Sequence, residues 1–222
     1  MLEYIEITKK ECALSATQDA DWEHSVVDWG EHENEEHKDW ELGEAIYTLD
    51  GKKFLRFMGD MGDMAEYVIK EGVKVICDEA FYGIRDDRVI TFPSTVKVFG
   101  NFLYGSFPID EFFIPKSVQT ITGNPFAECA GTIKCDSPNF VFENGVLYDK
   151  CKKRLISAMW GKYVGAENRI IDPNVVMIGR YSFYGKSFID SKPSILPTSV
   201  LYIGENAFGH SSLEVVLPKN LI

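Results

Sequence analysis

The residues best suited to metal binding lie between positions 24 and 37, in an acidic stretch. They are three histidines and two glutamates: His24, His32, Glu35, Glu36 and His37. Imidazole and carboxylate groups are common ligands of zinc and other transition metals. However, His32 and His37 are five residues apart, so they do not form the His-Glu-x-x-His pair that places two imidazoles on one helix face. We therefore interpret the stretch as a solvated acidic loop and predict no metal site.

Residues that can take part in catalysis occur without the motifs that organise them. The sequence has no Gly-x-Ser-x-Gly nucleophile motif, no glycine-rich phosphate loop and no Cys-x-x-Cys pair. The adjacent carboxylates Asp86-Asp87 and Asp110-Glu111 fall at predicted turns or strand starts, where contact with solvent explains them. Groups distant in sequence can still meet in a folded chain. The sequence itself predicts no catalytic residues, no cofactor and no enzymatic activity.

Charge and hydropathy limit the partners and the location of the chain. A formal net charge of −11 opposes binding to a phosphate backbone, which requires clusters of Lys and Arg, so we predict no nucleic-acid partner. No apolar run approaches the roughly 18 residues of a membrane helix, and the first residues lack the apolar core of a signal peptide. We therefore predict no membrane insertion. A native Met1 implies the cytoplasm, whereas a trimmed chain leaves a cell-surface or secreted location open.

An internal repeat is the feature that positions the side chains. In two groups, aromatic residues recur 22 to 25 residues apart, which is the period of a solenoid whose turns stack on each other. The repeated aromatic residues are Phe81, Tyr104 and Phe126, and then Phe183 and Phe208. Prolines that end short β-type runs keep a similar step, at Pro93, Pro115, Pro197 and Pro218. We predict that the rings form one stacked column along a single apolar axis.

Each repeat is predicted to contain a short strand, a turn and one helical turn. The run before the proline alternates inward and outward side chains, and Ile90 and Phe92 are expected to face inward. Proline ends the strand because it has no N–H for the ladder. The next turn often carries glycine, which permits a positive φ. An Ala-Phe or Ser-Phe pair then fits a single helical turn whose ring points inward.

The repeats are themselves duplicated at long range. Corresponding positions lie 100 to 104 residues apart, as Phe81 and Phe183 do. We therefore divide the solenoid, residues 45–222, into two tandem blocks, about 45–144 and 145–222. Each block is predicted to begin with a β-hairpin, because Asp50-Gly51 and Asn144-Gly145 each separate two apolar runs and suit type I′ turns.

The repeat units resemble a known type. The segments GVKVICDEAF, VVMIGRYSF and SVLYIGENAFGHSSLEVVLP are similar to the BspA-type leucine-rich repeat, and SPNFVFENGVLYDKCKKRLI is similar to the hairpin insertion of such proteins. The resemblance implies a β-rich solenoid, a right-handed leucine-rich-repeat-like coil with short strands, single helical turns and inserted β-hairpins. It also implies a binding scaffold, often on bacterial surfaces, with adhesion to host or matrix proteins in some members. It supplies no catalytic residues.

The predicted binding surface follows from the strand pattern. If positions one and three before each proline face inward, then positions two and four before it face outward and line one ribbon of the sheet. These outward residues are Val89, Thr91, Glu111, Phe113, Glu214 and Val216. We predict that a protein or peptide binds along this ribbon, with Phe113 as an anchor. The alternative for Phe113 is packing beneath a hairpin or a neighbouring loop.

The first 44 residues lack the repeat pattern and are rich in acidic residues. They contain three of the four tryptophans, Trp22, Trp29 and Trp40. Their opening run, MLEYIEITKKECALSA, is interpreted as a strand or a short amphipathic segment. Because a repeat array needs end units with a polar outer face, we predict that residues 1–44 form an N-terminal cap. Tryptophans and tyrosines near carboxylates also support a second hypothesis, a carbohydrate-binding or carbohydrate-active protein.

The opposite end of the array shows no separate cap. The sequence ends with LPKNLI, where the next coil turn is expected to begin. An uncovered final coil presents a strand edge and apolar surface, which favours association. An end-to-end homodimer is therefore among the expected states.

Overall fold

The computed structural model describes residues 1–12, 25–28, 45–58, 66–82, 89–101, 103, 111–190 and 192–222. These residues form a β-rich solenoid of short strands and inserted hairpins, which confirms the predicted fold class. Within these residues the helices are α1 (Leu2–Cys12) and one turn of 3-10 helix (Ala166–Asn168). The strands are β1 (Ser25–Asp28), β2 (Ala45–Thr48), β3 (Lys53–Phe57), β4 (Glu66–Val68), β5 (Val75–Ile76), β6 (Val89–Thr91), β7 (Val98–Phe99), β8 (Glu111–Ile114), β9 (Thr120–Ile121), β10 (Thr132–Cys135), β11 (Phe140–Glu143), β12 (Val146–Asp149), β13 (Arg154–Ala158), β14 (Met177–Ile178), β15 (Ser194–Ile195), β16 (Tyr202–Ile203) and β17 (Val215–Val216).

Two longer sheets run along the solenoid and follow the same order. The first is β1-β2-β3-β5-β7-β9 and the second is β11-β12-β13-β14-β16. Each begins with antiparallel hairpin strands and continues with parallel strands contributed by successive coils. In the first sheet, Ile76 pairs with Phe99 and Phe99 with Ile121, so the inward side chains keep one register. The boundaries of the two tandem blocks stay a prediction.

The two hairpin turns differ from each other. At Asn144-Gly145 both residues have positive φ, 52° and 73°, as a type I′ turn requires. At Asp50-Gly51 only the glycine has a positive φ, 66°, so the type I′ prediction is wrong there. The Asp50 carboxylate accepts hydrogen bonds from the Thr48 hydroxyl, at 2.8 Å, and from the backbone N–H of Lys52, at 3.0 Å. These local bonds stabilise a four-residue connection between β2 and β3 that contains one left-handed glycine, whereas the Asn144-Gly145 connection has two residues.

The hairpin β12–β13 is buried on both of its faces. Leu147 and Ile156 belong to the core of the first sheet, whereas Tyr148 and Leu155 belong to the core of the second. This division follows from the two-residue period of a strand, which sends alternate side chains to opposite faces. The expected single apolar axis is therefore wrong: the hairpin separates the interior into two cores.

The repeated aromatic residues are distributed between these cores. Phe81 and Phe126 are fully buried in the first, and Phe183 is fully buried in the second. Phe183 and Phe208 stack as predicted, with ring centroids 4.9 Å apart and planes 17° apart. Phe81 is 5.3 Å from the ring of Phe54 in a tilted arrangement, so its neighbours are rings of the hairpin and strands. The predicted Tyr104 lies outside the described residues.

Arg154 connects the two sheets through its side chain. β9 ends the first sheet and β13 belongs to the second, so the two strands do not share a backbone ladder. The Arg154 guanidinium donates to the carbonyls of Ile121, at 2.8 Å, and Gly123, at 3.3 Å. It is 5% exposed and lies two residues before Ile156, on the strand face that is turned toward the first core. The buried cation thus supplies donors to carbonyls of the preceding coil.

Two further polar side chains cross the same junction. Asn124 is fully buried, and its amide donates to the carbonyl of Tyr181 at 2.8 Å. The ammonium group of Lys186, a residue 4% exposed, donates to the carbonyl of Cys129. Burial lowers the pKa of Lys186 to about 8. Each of these bonds satisfies a backbone carbonyl that a strand ladder does not reach.

Helix α1 lies against this junction. Its charges follow the helix dipole, with Glu3 in the first turn and Lys9 and Lys10 in the last. Ile5 is buried, and the Tyr4 hydroxyl donates to the Asp149 carboxylate at 3.0 Å. The helix also contacts β9, so it touches both sheets. The described part of the opening run therefore forms a helix over Leu2–Cys12, the amphipathic alternative of the sequence interpretation.

The cap predicted for residues 1–44 stays a prediction. Trp22, Trp29 and Trp40 lie outside the described residues, whereas β1 pairs with β2 at the first edge of the sheet. Ile46 and Leu55, on the outer face of the first hairpin, are buried. They correspond to Leu147 and Ile156 of the second hairpin, and they are the side chains that the predicted cap would cover.

Arg154→Ala is expected to lower the free energy of unfolding by about 3 kcal/mol, because it removes a charged donor and leaves buried carbonyls without it. The matched control is Arg180→Ala, whose guanidinium pairs with Glu205 at 3.2 Å with both side chains substantially exposed. That change is expected to cost about 1 kcal/mol or less. Urea unfolding measures both variants. Equal losses would contradict a special role of Arg154 in joining the sheets.

Lys186→Met is expected to reveal a pH dependence of stability. The folded pKa of Lys186 is about 8, below its ordinary value of 10.5, so between these values the unfolded chain binds a proton that the folded chain has released. The unfolding free energy of the wild type should therefore rise relative to the variant across this window, by on the order of 2 kcal/mol. Cys129 and Glu128, which face the Lys186 ammonium group in the wild type, are unchanged in the variant. Urea titrations at several pH values that give a constant or falling difference would refute the prediction.

Candidate functional site

The predicted ribbon lies on three two-stranded parallel pairs, β4–β6, β8–β10 and β15–β17. In β8 the predicted alternation is present, since Glu111 and Phe113 are exposed while Phe112 and Ile114 are buried. Glu214 and Val216 are likewise exposed. Thr91 is half-buried, and the side chain of Val89 lies outside the described part of the structure. We call the outward row on these pairs the strand ribbon.

Phe113 is 38% exposed. It pairs in register with Lys134 of β10, whose ammonium nitrogen is 5.6 Å from the centre of the ring. A cation at this distance is attracted to the face of an aromatic ring. Phe113 therefore has a neighbour that orients it, and it still presents apolar surface to solvent.

Sequence reasoning missed two members of the strand ribbon. Val68 is 60% exposed and pairs with Thr91, and Ile195 is 72% exposed and pairs with Val216. Ile195 obeys the proline rule, being two residues before Pro197, so its signal was present in the sequence. Val68 lies on β4, which no proline directly follows, so the proline rule could not predict which of its side chains face outward.

The inward rule fails at the last strand. Leu217, one residue before Pro218, was expected to face inward but is 54% exposed. No described coil packs beyond β17, so the inner side of that strand lacks a neighbour to bury it. The alternation is a property of stacked coils and requires coils on both sides.

A second surface lies on the turns that precede and follow the repeated phenylalanines. It is a groove of about 430 Å³, which we call the turn groove. Its lining residues are Glu79, Tyr82, Glu128, Tyr181, Tyr184, Asn206 and His210. None of these described lining residues is a lysine or an arginine.

Unusual backbone conformations fix the side chains of the turn groove. Five lining residues have positive φ without being glycine: Glu79 (59°), Glu128 (66°), Tyr181 (56°), Asn206 (48°) and His210 (49°). This region costs roughly 1 kcal/mol or more per non-glycine residue, and such residues concentrate at functional sites. Bonds between neighbouring coils hold them, as when the N–H of Tyr181 donates to the Glu205 carbonyl at 3.1 Å. Each lies two residues before or after a repeated phenylalanine, or at the equivalent turn.

The rings of the turn groove are mutually inclined. Tyr184 is 5.5 Å from Tyr181 at 69° and 5.0 Å from His210 at 52°, measured between ring centroids and planes. The pKa of Tyr184 is raised by burial and then by the Glu128 carboxylate and the phenols of Tyr181 and Tyr82. The Glu128 carboxylate and the neighbouring phenols thus disfavour the phenolate form of Tyr184. Sequence reasoning did not identify this surface, because its members are not periodic in residue type.

The remaining predictions concern metal binding and membrane insertion. The candidate metal ligands at positions 24, 32, 35, 36 and 37 lie outside the described residues. Among the side chains that the structure does describe, no group of three or more His, Cys, Asp and Glu residues is arranged to hold a metal ion. No helix in the described part of the chain has the length and apolar character to cross a membrane.

The chain belongs to the BspA-type leucine-rich repeat family. The family described as "BspA type Leucine rich repeat region (6 copies)" matches residues 56–152 and 162–222, which is most of the chain and includes both surfaces. This match confirms the resemblance inferred from the repeat units. No curated protein sequence matches the chain.

Solved structures that are similar to this chain come from bacterial proteins. The pneumococcal vaccine antigen PcpA is 22% identical, with a TM-score of 0.54, over 72% of this chain and 40% of that chain. A leucine rich cell surface protein from Faecalibacterium prausnitzii is 23% identical, with a TM-score of 0.52, over 71% and 42%. A leucine-rich repeat protein from Eubacterium ventriosum is 25% identical, with a TM-score of 0.49, over 72% and 49%. The chain thus spans less than half of each solved structure.

Glu128→Gln is expected to lower the pKa of Tyr184 toward its ordinary value, because the substitution removes the carboxylate that disfavours the phenolate. The titration is followed in alkaline solution through the ring carbon signals of labelled tyrosine, and Tyr184→Phe identifies the signal. The control Glu167→Gln removes an exposed carboxylate that does not line the groove. An unchanged pKa in Glu128→Gln would show that the two side chains do not interact.

Proposed function

We propose that this chain is a non-catalytic protein-binding scaffold that holds an extended segment of a partner protein along the strand ribbon. The observation that carries the proposal is that each of the three strand pairs exposes at least one large apolar side chain, at Val68, Phe113, Ile195 and Val216. Large apolar side chains that stay exposed on one structural feature are typical of an interaction surface. Extended peptides commonly bind along β-strands, where main-chain bonds give affinity and alternate side chains give specificity.

The charges beside the row indicate the chemistry of the partner. Glu66, Glu111 and Glu214 are exposed on the same strands, and Lys134 is the neighbour of Phe113. A segment with apolar side chains at alternate positions and basic residues between them complements this pattern. Acidic residues on the ribbon act mainly on the rate of association and on the choice of partner.

The similar proteins support a location outside the cell. One of them is a cell surface protein and another is a vaccine antigen. We propose that this chain is likewise displayed outside the cell, where adhesion to a host or matrix protein is its function. The absence of nucleic-acid binding and the end-to-end homodimer stay predictions. Carbohydrate binding through Trp22 and Trp29 stays the alternative, since both residues lie outside the described chain.

Peptides selected by phage display against the intact chain test the strand ribbon. Phe113→Ala and Ile195→Ala are each expected to weaken a selected peptide about tenfold, the effect of removing an interface anchor. Glu111→Lys is expected to slow association with a basic peptide. The control Tyr163→Ala removes a side chain 77% exposed on a loop away from the strand pairs and should leave affinity unchanged.

Two outcomes would contradict the proposal. Either no peptide is enriched, or the enriched peptides bind Phe113→Ala and Ile195→Ala as they bind the wild type. A glycan array that detects binding, lost on Trp22→Ala, would support the carbohydrate alternative in its place.

A further inference from the structure

The turn groove has the composition of a cation-binding site. It combines the carboxylates of Glu79 and Glu128 with three phenol rings and one imidazole. Cations are attracted both to carboxylates and to the faces of aromatic rings. The chain itself provides an example at the edge of the groove, where the guanidinium of Arg180 lies 5.6 Å from the centre of the Tyr181 ring.

The inclination of the rings distinguishes a cation from a sugar. A sugar ring stacks on a flat aromatic platform, whereas an ammonium or guanidinium group fits between rings that meet at an angle, as in aromatic cages. Tyr184 meets Tyr181 at 69° and His210 at 52°. These planes form inclined walls, and the carboxylate of Glu128 is close enough to affect the ionisation of Tyr184.

The extent of the groove distinguishes a peptide from a small ion. Its lining runs from the coil of Phe81, which carries Glu79 and Tyr82, to the coil of Phe208, which carries Asn206 and His210. The described lining residues come from four coils, those of Phe81, Phe126, Phe183 and Phe208, so the groove extends across several coils. An extended peptide, at about 3.3 Å per residue, can follow this direction and contact more than one coil. A single small cation fills only a fraction of the 430 Å³.

We propose that the turn groove binds an extended basic segment of a partner protein, with a lysine or arginine side chain inserted among Tyr181, Tyr184 and His210. This site is separate from the strand ribbon, because the two surfaces share no residue. Charge complementarity supports this occupant: the chain has a net charge of −11, and the lining contains the carboxylates of Glu79 and of Glu128, the second of which also faces the Lys186 ammonium group. The positive-φ turns hold the rings in place before binding, which reduces the ordering that binding requires.

The test uses a fluorescent peptide of three Gly-Lys repeats and the intact chain at low ionic strength. The matched peptide carries acetylated lysines, which keep the length of the side chain and remove its charge. We expect saturable one-to-one binding of the charged peptide and none of the acetylated one. The ring signal of Tyr184, identified through Tyr184→Phe, is expected to shift during the titration.

Variants separate a defined site from diffuse attraction. Tyr184→Ala and Glu128→Gln are each expected to weaken the charged peptide about threefold or more. Gly209→Ala changes no charge, but the added Cβ would lie 2.9 Å from the Tyr184 ring, so the ring must move and affinity must fall. Glu167→Gln is the charge-matched control and is expected to change affinity by less than about twofold, because a distant exposed charge is screened. Phe113→Ala, on the strand ribbon, should leave this peptide unaffected.

Several results would overturn the proposal. Equal effects of Glu128→Gln and Glu167→Gln would show attraction by net charge alone, and equal binding of the acetylated peptide would exclude a cation site. A shift of the Tyr184 signal with chitohexaose but not with the lysine peptide would indicate a sugar site. All variants are compared only where their urea unfolding midpoints match that of the wild type. If Tyr184→Ala does not fold, the peptide affinities of Tyr184→Leu and Gly209→Ala are compared with that of the wild type in its place.

Discussion

The hairpin that is buried on both faces is the constraint on which the rest of the structure depends. Its alternate side chains serve two cores at once, so the second half of the solenoid is stable only where the first half covers Leu147 and Ile156. Apolar surface of this kind contributes about 25 cal/mol per Å² when it leaves water. The backbone ladder is interrupted at the same place, and polar side chains take over its role. Apolar burial therefore holds the two halves together, and Arg154, Asn124 and Lys186 fix how they fit.

The sequence predicted the features that depend on neighbours within one coil. Strand phase before Pro115, the buried Phe81, Phe126 and Phe183, and the Asn144-Gly145 turn follow from local patterns, and the structure has them. It did not predict contacts between halves. Arg154 occupies the position that Lys53 occupies in the first block, and the two residues look alike in sequence. Arg154 is buried only because a preceding coil and a helix lie against it, whereas Lys53 is half-buried.

The two candidate surfaces were predictable to different degrees for the same reason. The strand ribbon follows from a two-residue period, which is visible in the sequence wherever a proline marks the phase. The turn groove joins side chains from coils far apart in sequence, such as Glu128 and Tyr184, and depends on left-handed backbone at non-glycine residues. Neither the conformation nor the proximity has a signature in residue type. Only the packing of one coil on the next brings these rings together.

Joining the halves by a few side chains also affects how such a protein changes over generations. Under the predicted duplication, a copy of about a hundred residues would bring its own hairpin, its own basic residue at the position of Lys53 or Arg154 and its own coils. Such a copy could therefore pack on an existing copy without changes to the core residues of either one. Natural selection can lengthen or shorten the array in large steps, and each added copy extends both outer surfaces in the same direction.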